Sequence, residues 1–453
     1  MFRDIKELTT EELQKELQAI ELFEQQIGKV NVDNMLSKTV DTSFLISMQC
    51  TITPNGRLFR TDRQGFLPRM MEEMYADRKK YKKLMLQAEQ EYENETDETK
   101  KYEIEKRIAK YNNIQLAKKL SLNSAYGALG SQYFRFYDLR MATAVTSAGQ
   151  LSIRWIANKL NDYMNKIVES KDVDYVIASD TDSIYLSLAG LVNKFAFARI
   201  SDKQYVIKFM DKICDNKIQP FINKSYQELA DYVKAPVQKM QMKREALADK
   251  GIWTAKKRYI LNIYNNEGVQ YNDPYMKVMG LEMIKSSTPA AIRNKMKEAI
   301  KIIMQGEESD IHKFISNFRE EFQKLSVEDI SFPRGLNGLL KYTDSLSLYK
   351  PSTPIHVRGA ILYNHYLKEY DLTKKYPLIQ EGEKVKYCYL KTPNHFKETV
   401  ISFPSRLPKE FKLDYCIDYN MQFSKAFLEP IDVILKCINW TPEKVSSLDS
   451  FFN

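Results

Sequence analysis

The sequence of 453 residues predicts an α+β protein with more than one compact part. Two long polar segments with helical periodicity, separated by a short turn, occupy residues 68–130. Between residues 131 and 285, a long helical pattern is followed by short runs of β-branched and aromatic residues that are typical of strands. The hydrophobic content of 43% is high enough to bury several cores, so disorder over most of the chain is excluded.

The overall composition suits a protein that binds a polyanion. The 68 Lys and Arg residues exceed the 59 Asp and Glu residues, which gives a net charge of +9. The five cysteines lack C-x-x-C spacing and the four histidines are dispersed, so neither a zinc site nor a disulfide framework is predicted. No apolar run approaches the roughly 18 residues of a membrane helix. We therefore expect a soluble protein of a reducing cytoplasm.

The first elements of the chain are a helix, a turn and a helical hairpin. A capping box, Thr9 with Glu12, predicts a helix over residues 10–27, whose apolar positions are Leu13, Leu17, Ile20 and Phe23. The stretch "TPNG" at 53–56 predicts a turn. From Pro68 a helical pattern runs to "NETDETK" at 94–100 and then resumes, which predicts two long antiparallel helices.

The middle of the chain predicts a helix packed on an antiparallel sheet. Residues 142–167 have helical periodicity, and strands are predicted at "DYVIAS" (174–179), "SIYLSL" (183–188) and "KRYILNIYN" (257–265). A later helix is predicted to have Thr288 as its N-cap, Pro289 as its first residue and Gly306 as its stop. Helices and irregular proline-containing stretches are expected to follow.

Two carboxylates, Asp180 and Asp182, lie one residue apart between two predicted strands. Because side chains alternate along a strand, both are expected on the same side at the tip of a hairpin. Hard oxygen ligands of this kind suit Mg²⁺, which favours metal-dependent phosphoryl or nucleotidyl transfer. The alternative is a solvent-exposed turn, in which aspartate bonds to its own backbone.

A polar stripe is predicted on the second long helix, where Lys119, Asn123 and Tyr126 follow one another at i, i+4 and i+7. On the first long helix, Arg78 and Lys82 are also four residues apart. Antiparallel pairing would turn the three cations towards one spot, and such a cluster binds triphosphates. The alternative is that these residues are solvated faces of a charged hairpin.

Two residues near the end of the same helix suit a neighbouring base pair. The ring of Tyr126 is predicted to contact a nascent base pair, and Gly127 is predicted to permit its close approach.

Four stretches of the sequence are recognisable as motifs: "KKLSLNSAYGALG" (118–130), "SDTDSIYL" (179–186), "TAKKRYILNIY" (254–264) and "SQYFRFYDLRMATAVTSAGQLSIRWIANKLN" (131–161). The first three resemble motif B, motif C and the KKRY element of the family B DNA polymerases. The fourth is very similar to a palm segment of the replicative polymerases of T-even-like bacteriophages. The similarity continues from about residue 41 to the last residues, and it identifies the chain as the C-terminal part of such a polymerase.

The resemblance implies a right-hand fold with helical-hairpin fingers, an antiparallel-sheet palm packed on helices, and a mostly helical thumb. The implied parts are an N-terminal helical segment and possible subunit junction (1–40), the first part of the palm (41–67), the fingers (68–130), the main palm (131–285), the thumb (286–447) and a clamp-binding tail (448–453).

The resemblance also implies a role for each motif residue in DNA synthesis. Asp182 would bridge two Mg²⁺ ions, with Asp180 assisting the metal geometry. The triphosphate of a dNTP would be held by Arg78, Lys82 and Lys119, and Lys119 could also protonate the leaving pyrophosphate. Asn123, Tyr126 and Gly127 would line the nascent base-pair pocket. Thr181, Lys257, Arg258 and Tyr259 would contact primer-template DNA.

One part of the family pattern is missing from this sequence. Motif A, which supplies the second metal-bridging carboxylate, has no match, and its nearest approach is "DTSFLIS" at 41–47. The acidic motifs of the proofreading exonuclease are also missing. A two-metal site with one bridging carboxylate is under-neutralised, so the polypeptide alone is expected to be nearly inactive. We therefore expect a split polymerase of a phage in its bacterial host, in which a separate N-terminal chain supplies both parts. An artificial boundary is the alternative.

The final residues add one more predicted interaction. Leu448, Phe451 and Phe452 form an apolar pattern on a polar tail, and related polymerases bind sliding clamps through tails of this kind. The alternative is a tail that docks on its own thumb.

Two other functions are compatible with parts of the pattern. The first is a catalytically inactive DNA-binding accessory protein of polymerase fold, which the missing motif A would permit. The second is an unrelated magnesium-dependent nucleotidyltransferase, which would lack the KKRY and thumb matches. The paired acids favour retained catalysis, because acids beside DNA phosphates would otherwise only repel the backbone.

Overall fold

A computed structural model describes residues 29–197 and 200–444 of the chain. Long helices and small antiparallel sheets confirm the predicted α+β class, whereas the right-hand subdivision stays a prediction. The described residues divide into two compact units, one within 29–247 together with 263–274 and one of 248–262 together with 275–444. The helix predicted over residues 10–27 and the three clamp-binding residues, Leu448, Phe451 and Phe452, lie outside the described residues. Within the described residues, no helix is long and apolar enough to cross a membrane.

The helices up to residue 247 all belong to the first unit: α1 (Val32–Leu36), α2 (Phe66–Asn94), α3 (Glu98–Leu129), α4 (Leu139–Val168), α5 (Ala189–Phe195), α6 (Lys203–Ile213) and α7 (Gln219–Tyr232). A π-helical turn, Cys214–Ile218, joins α6 to α7. Two antiparallel hairpins accompany them, formed by β1 (Cys50–Ile52) with β2 (Leu58–Arg60) and by β3 (Val176–Asp180) with β4 (Ser183–Leu186).

The predicted helical hairpin is confirmed as α2 and α3. Asp97 caps α3, because its side chain accepts hydrogen bonds from the backbone of the first turn. The two helices run antiparallel, since Arg107 of α3 pairs with Glu91 of α2 at 2.5 Å, and Tyr111 lies 6.4 Å from Tyr81 between ring centroids. The mostly polar surfaces of both helices leave few residues of the pair fully buried.

Helix α4 forms the centre of the core of the first unit. Its buried side chains recur at helical spacing and are Leu151, Trp155, Ile156, Leu160 and Met164. Each such side chain stabilises the fold by about 1.5–3 kcal/mol through removal of apolar surface from water. The indole N–H of Trp155 donates a hydrogen bond of 2.9 Å to the carbonyl of Ser225, which ties α4 to α7.

A three-stranded sheet has the order β5 (Ala246–Ala255), β6 (Arg258–Asn266) and β7 (Val269–Met279). The second unit then contains α8 (Ala290–Gln305), α9 (Glu308–Phe322), α10 (Val327–Ile330), α11 (Leu339–Tyr342), α12 (Ile355–Glu369), α13 (Tyr419–Phe423) and α14 (Glu429–Lys436). Its sheet has the order β12 (Val400–Phe403), β11 (Lys384–Tyr389) and β8 (Phe332–Gly335). A short hairpin is formed by β9 (Thr343–Asp344) and β10 (Leu348–Tyr349).

The start of α8 differs by one residue from the prediction. Pro289 is still extended, with ψ at 143°, and is the N-cap, so the helix begins at Ala290. Thr288 instead donates its backbone N–H to the carbonyl of Lys285 in the preceding turn, at 3.1 Å. The predicted stop is confirmed, since Gly306 is the C-cap.

Candidate metal and triphosphate site

The two carboxylates lie at the tip of the β3–β4 hairpin. Asp180 is the last residue of β3 and pairs with Ser183 of β4, which leaves Thr181 and Asp182 as a two-residue turn. Thr181 has a left-handed φ of 56°, and the N–H of Asp182 donates to the carbonyl of Asp180 at 2.6 Å. The tip is therefore tightly folded, with Asp182 exposed and Asp180 half-buried.

The turn corrects the argument from strand alternation. That argument carried the strand geometry through Asp182, whereas the chain leaves the strand after Asp180 because Thr181 is left-handed. The hydroxyl of Thr181 donates to the Asp180 carboxylate at 3.0 Å. The Asp180 carboxylate is thus engaged within the turn, beside the exposed carboxylate of Asp182.

Helix α4 fixes the position of the hairpin through two asparagines one turn apart. The Oδ1 atom of Asn161 accepts hydrogen bonds from the backbone N–H groups of Tyr175 and Val176, at 2.9 and 3.0 Å. The Oδ1 atom of Asn165 accepts from the N–H of Val173 at 3.0 Å. These bonds provide acceptors for the backbone N–H groups at the start of β3, so the core helix α4 holds the hairpin in place.

The carboxylates have the donor chemistry of a magnesium site. Mg²⁺ commonly takes one or two carboxylates and completes its octahedron with water and substrate phosphate oxygens. Over residues 29–197 and 200–444, no cluster of three or more His, Cys, Asp or Glu residues could hold a metal ion. Two carboxylates would leave the other positions of an octahedral Mg²⁺ ion to water and phosphate oxygens.

The C-terminal turns of α3 carry the predicted polar stripe on an open surface. Lys119 and Asn123 are exposed, and Tyr126 is 42% exposed. A Cβ atom at Gly127 would meet nothing within 4 Å, so a ligand could approach the backbone closely there.

The two helices bring their cationic residues to the same level. Lys118 of α3 pairs with Asp77 of α2 at 2.8 Å, which puts the neighbouring residues Arg78 and Lys119 at one level of the antiparallel pair. Arg78 is half-buried, and its Nε atom makes no hydrogen bond to any residue that the structure describes.

Lys82 has a partner that the sequence did not suggest. Its ammonium pairs with the carboxylate of Glu267, and the two side chains are 31% and 22% exposed. Glu267 lies in the turn between β6 and β7. The signal for that turn is "NNEGVQ" at 265–270, where glycine follows polar residues between two strand-like runs, but it does not reveal the distant lysine.

The predicted DNA-contacting residues 257–259 belong to the second unit. Lys257 lies in the turn between β5 and β6 with φ of 63°. The guanidinium of Arg258 is paired with both carboxylate oxygens of Glu282, at 2.8 and 2.9 Å. Tyr259 is buried, with its ring centroid 6.4 Å from that of Trp253. Glu282 lies in the stretch "GLEMIKSSTPAAI" (280–292), which is outside the four recognised motifs and gives no role for that residue.

Comparison with known proteins gives a consistent family assignment. The sequence model described as DNA polymerase family B matches residues 22–207. The DNA-directed DNA polymerase of Enterobacteria phage T4 is 31% identical over 90% of this chain and 50% of its own length. The DNA-directed DNA polymerase of Escherichia phage RB69 is 32% identical over 88% of this chain and 49% of its own. The DNA polymerase delta catalytic subunit of Dictyostelium discoideum is 25% identical over 75% of this chain and 26% of its own. The chain thus spans about half the length of the phage relatives.

Proposed function

Because this chain belongs to DNA polymerase family B, we propose that it carries the nucleotidyl-transfer part of a DNA-directed DNA polymerase that copies phage DNA. Its substrates would be primer-template DNA and dNTPs. The observation that carries the proposal is the hairpin tip, where Asp182 is exposed beside Asp180 on a support built from the core helix α4.

The carboxylates of Asp180 and Asp182 would hold Mg²⁺ together with the substrate phosphates. Bound Mg²⁺ supplies two effects, activation of the primer 3′-hydroxyl and stabilisation of charge on the leaving pyrophosphate. The chain itself holds the carboxylates in place through α4, so little reorganisation is needed when substrate binds.

The helical hairpin would bind the incoming nucleotide. Lys119 is exposed and stands level with Arg78, so the two cations suit the oxygens of one triphosphate. Arg78 contributes a planar set of donors, which suits the oxygens of a phosphate group. Asn123 and Tyr126 lie one and two turns further along α3, and their exposed side chains would line the base-pair pocket.

The second unit would contact DNA through the β5–β6 turn. Lys257 has a left-handed backbone conformation at the tip, where its ammonium would bind a phosphate of the primer strand. The guanidinium of Arg258 is paired with the carboxylate of Glu282, so its role would be to fix the turn. Because that carboxylate partly neutralises its charge, Arg258 would bind a DNA phosphate more weakly than Lys257. Tyr259 is buried, which makes its ring a support for the turn.

The remaining parts of the proposed enzyme would come from other chains. A third carboxylate and the proofreading activity would be supplied by a separate N-terminal chain, since two carboxylates leave a two-metal site under-neutralised. A sliding clamp would bind Leu448, Phe451 and Phe452. Deletion of residues 448–453 should lower processivity on clamp-loaded templates and leave distributive synthesis unchanged; unchanged processivity would remove the clamp from the proposal.

The experiment that tests the function is magnesium-dependent primer extension by the full chain mixed with such a partner. The mixture should extend a primer far faster than either chain alone, and Asp182→Asn should reduce the rate by at least about 10²-fold, the scale of losing one transition-state electrostatic contact. Asp172→Asn is a matched control, because Asp172 is also an exposed aspartate of the same unit but lies outside the β3–β4 hairpin.

Two results would contradict the proposal. Normal synthesis by the Asp182→Asn assembly would remove the hairpin from the chemistry. DNA binding by the unaltered chain, with no gain in extension on adding the partner, would instead favour the accessory protein.

A further inference from the structure

The ion pair between Lys82 and Glu267 connects the helical hairpin with the β6–β7 turn of the same unit. Lys82 lies near the middle of α2, one turn beyond Arg78, among the residues proposed to bind the triphosphate. Glu267 is distant in sequence and belongs to none of the recognised motifs. The pair is about three-quarters shielded from solvent, so it is less screened than a fully exposed pair.

The position of Glu267 is set by its turn. Glu267 and Gly268 both have positive φ, 52° and 95°, which is the pattern of a two-residue type I′ hairpin turn. The N–H of Gly268 donates to the Oδ1 atom of buried Asn265 at 3.1 Å, and the N–H of Glu267 donates to the carbonyl of Glu245 at 2.5 Å. The carboxylate of Glu267 is therefore carried by a well-defined backbone.

A second contact between α2 and the same strand pair lies two helical turns further along. The backbone N–H of Gln270 donates to the side-chain oxygen of Gln90 at 3.1 Å. Because this bond does not involve Lys82, it would hold the strands against α2 while the ion pair opens. Glu267 would then stay close to Lys82 throughout nucleotide binding.

A further carboxylate shares the charge of Lys82. The pKa of Glu89 is raised, first by burial and then by the negative charge of Glu267, while the ammonium of Lys82 opposes the rise. The charges of the Lys82–Glu267 pair thus act on a third ionisable group, which lies on the same helix as Lys82.

We infer that Glu267 is a positioning residue that competes with the triphosphate for Lys82 and so weakens nucleotide binding. The inference rests on the proposed function, which assigns Lys82 to the triphosphate. The ammonium leaves Glu267 to reach the nucleotide, so the ion pair is lost when the nucleotide binds. Removing the charge of Glu267 therefore strengthens binding.

The test is an equilibrium titration, with magnesium and dATP, of the full chain assembled with the N-terminal partner chain. The chain is first bound to a primer-template with a templating thymine, whose primer ends in a dideoxynucleotide so that no bond can form. Glu267→Gln should lower the dissociation constant of dATP by about two- to five-fold, the range of a partly exposed ion pair. Glu91→Gln is the matched control and should leave binding unchanged, because it removes the same charge from α2 at a residue paired with Arg107.

A double-mutant cycle shows whether the effect passes through Lys82. Lys82→Ala should weaken dATP binding, and Glu267→Gln should then have no further effect in that background. An equal gain with and without Lys82, or no gain from Glu267→Gln at all, would overturn the inference and leave the proposed function intact. Unchanged binding by Lys82→Ala, or no dATP binding by the unaltered chain, would overturn the nucleotide-binding assignment and the inference with it.

Discussion

Gly280 packs directly on the backbone of Lys257. A Cβ atom at position 280 would lie 2.3 Å from the carbonyl oxygen of Lys257, and Gly280 has a left-handed φ of 67°. Only glycine fits both conditions. The position of the β5–β6 turn therefore depends on Gly280, which follows β7 and has no side chain to displace Lys257.

Gly280→Ala should displace the turn that carries Lys257. We expect the free energy of unfolding to fall by about 2–4 kcal/mol, since backbone strain and a steric clash add. Primer-template binding should weaken at the same time, measured by fluorescence anisotropy of labelled DNA. Gly382→Ala is the control, because Gly382 has φ of 83° but a Cβ atom there would meet nothing within 4 Å. Equal losses of unfolding free energy and of DNA binding in the two variants would show that the close contact between Gly280 and Lys257 is unimportant.

Lys119→Leu separates binding from proton transfer in the reconstituted assembly. Loss of a charged hydrogen-bond donor to the triphosphate should raise the dNTP dissociation constant by about ten- to a hundred-fold. If Lys119 also protonates pyrophosphate, the rate at saturating dNTP should fall by about 10²-fold or more. Pre-steady-state single-turnover kinetics measures both quantities. An unchanged rate at saturation would exclude the proton-transfer role, and Lys110→Leu, at another exposed position of α3, should change neither.

The start of α4 should lose stability in acid. Asp138 caps this helix, and its hydrogen bonds with the Arg140 side chain, at 2.8 and 3.0 Å, lower the pKa of its carboxyl to about 2. Because the folded pKa lies below the unfolded value of about 3.9, the stabilisation is complete above that value and is lost as the pH falls towards 2. Asp138→Asn keeps a capping oxygen and removes the charge. It should cost about 0.5–1 kcal/mol at pH 7 and progressively less below pH 4, as measured by urea unfolding.

If the free energies of unfolding of Asp138→Asn and the unaltered chain differed by the same amount from pH 7 to pH 2.5, the stabilising role of the Asp138 charge would be contradicted. Asp138→Ala gives the largest expected loss of stability, because it also removes the capping oxygen. Its free energy of unfolding should be about 1 kcal/mol lower than that of Asp138→Asn at every pH.

The cysteines should differ sharply in reactivity. Cys388 is fully buried, and burial raises the pKa of its thiol to about 12, while burial raises that of Cys214 to about 11. Cys437 is exposed. Since the thiolate is the reactive form, iodoacetamide at pH 8 should label Cys437 in the folded chain and reach Cys388 and Cys214 only after unfolding. Mass spectrometry of timed digests measures this order, and early labelling of Cys388 would contradict its burial.

Local periodicity predicted most elements around the candidate site. The helical hairpin and α4 follow from 3.6-residue patterns, and the strands beside Asp180 follow from β-branched runs that end in polar residues. The hairpin tip at Thr181 follows from the sequence, but its left-handed conformation does not, because threonine rarely adopts that conformation and gives no signal for it. Residues such as Glu267 and Gly280 act through partners far away in the sequence, and only the folded chain shows those partners.

The contacts of α2 with Glu267 and Gln270 are polar, which affects how the hairpin can tilt. Each helix of the pair is a rod of roughly 45 Å, so a small rotation becomes a large excursion at its far end. Water and mobile ions can replace an ion pair or an amide hydrogen bond without exposing any apolar surface. The ion pair weakens as the ionic strength rises, so the salt concentration changes how firmly α2 is held to the strand pair.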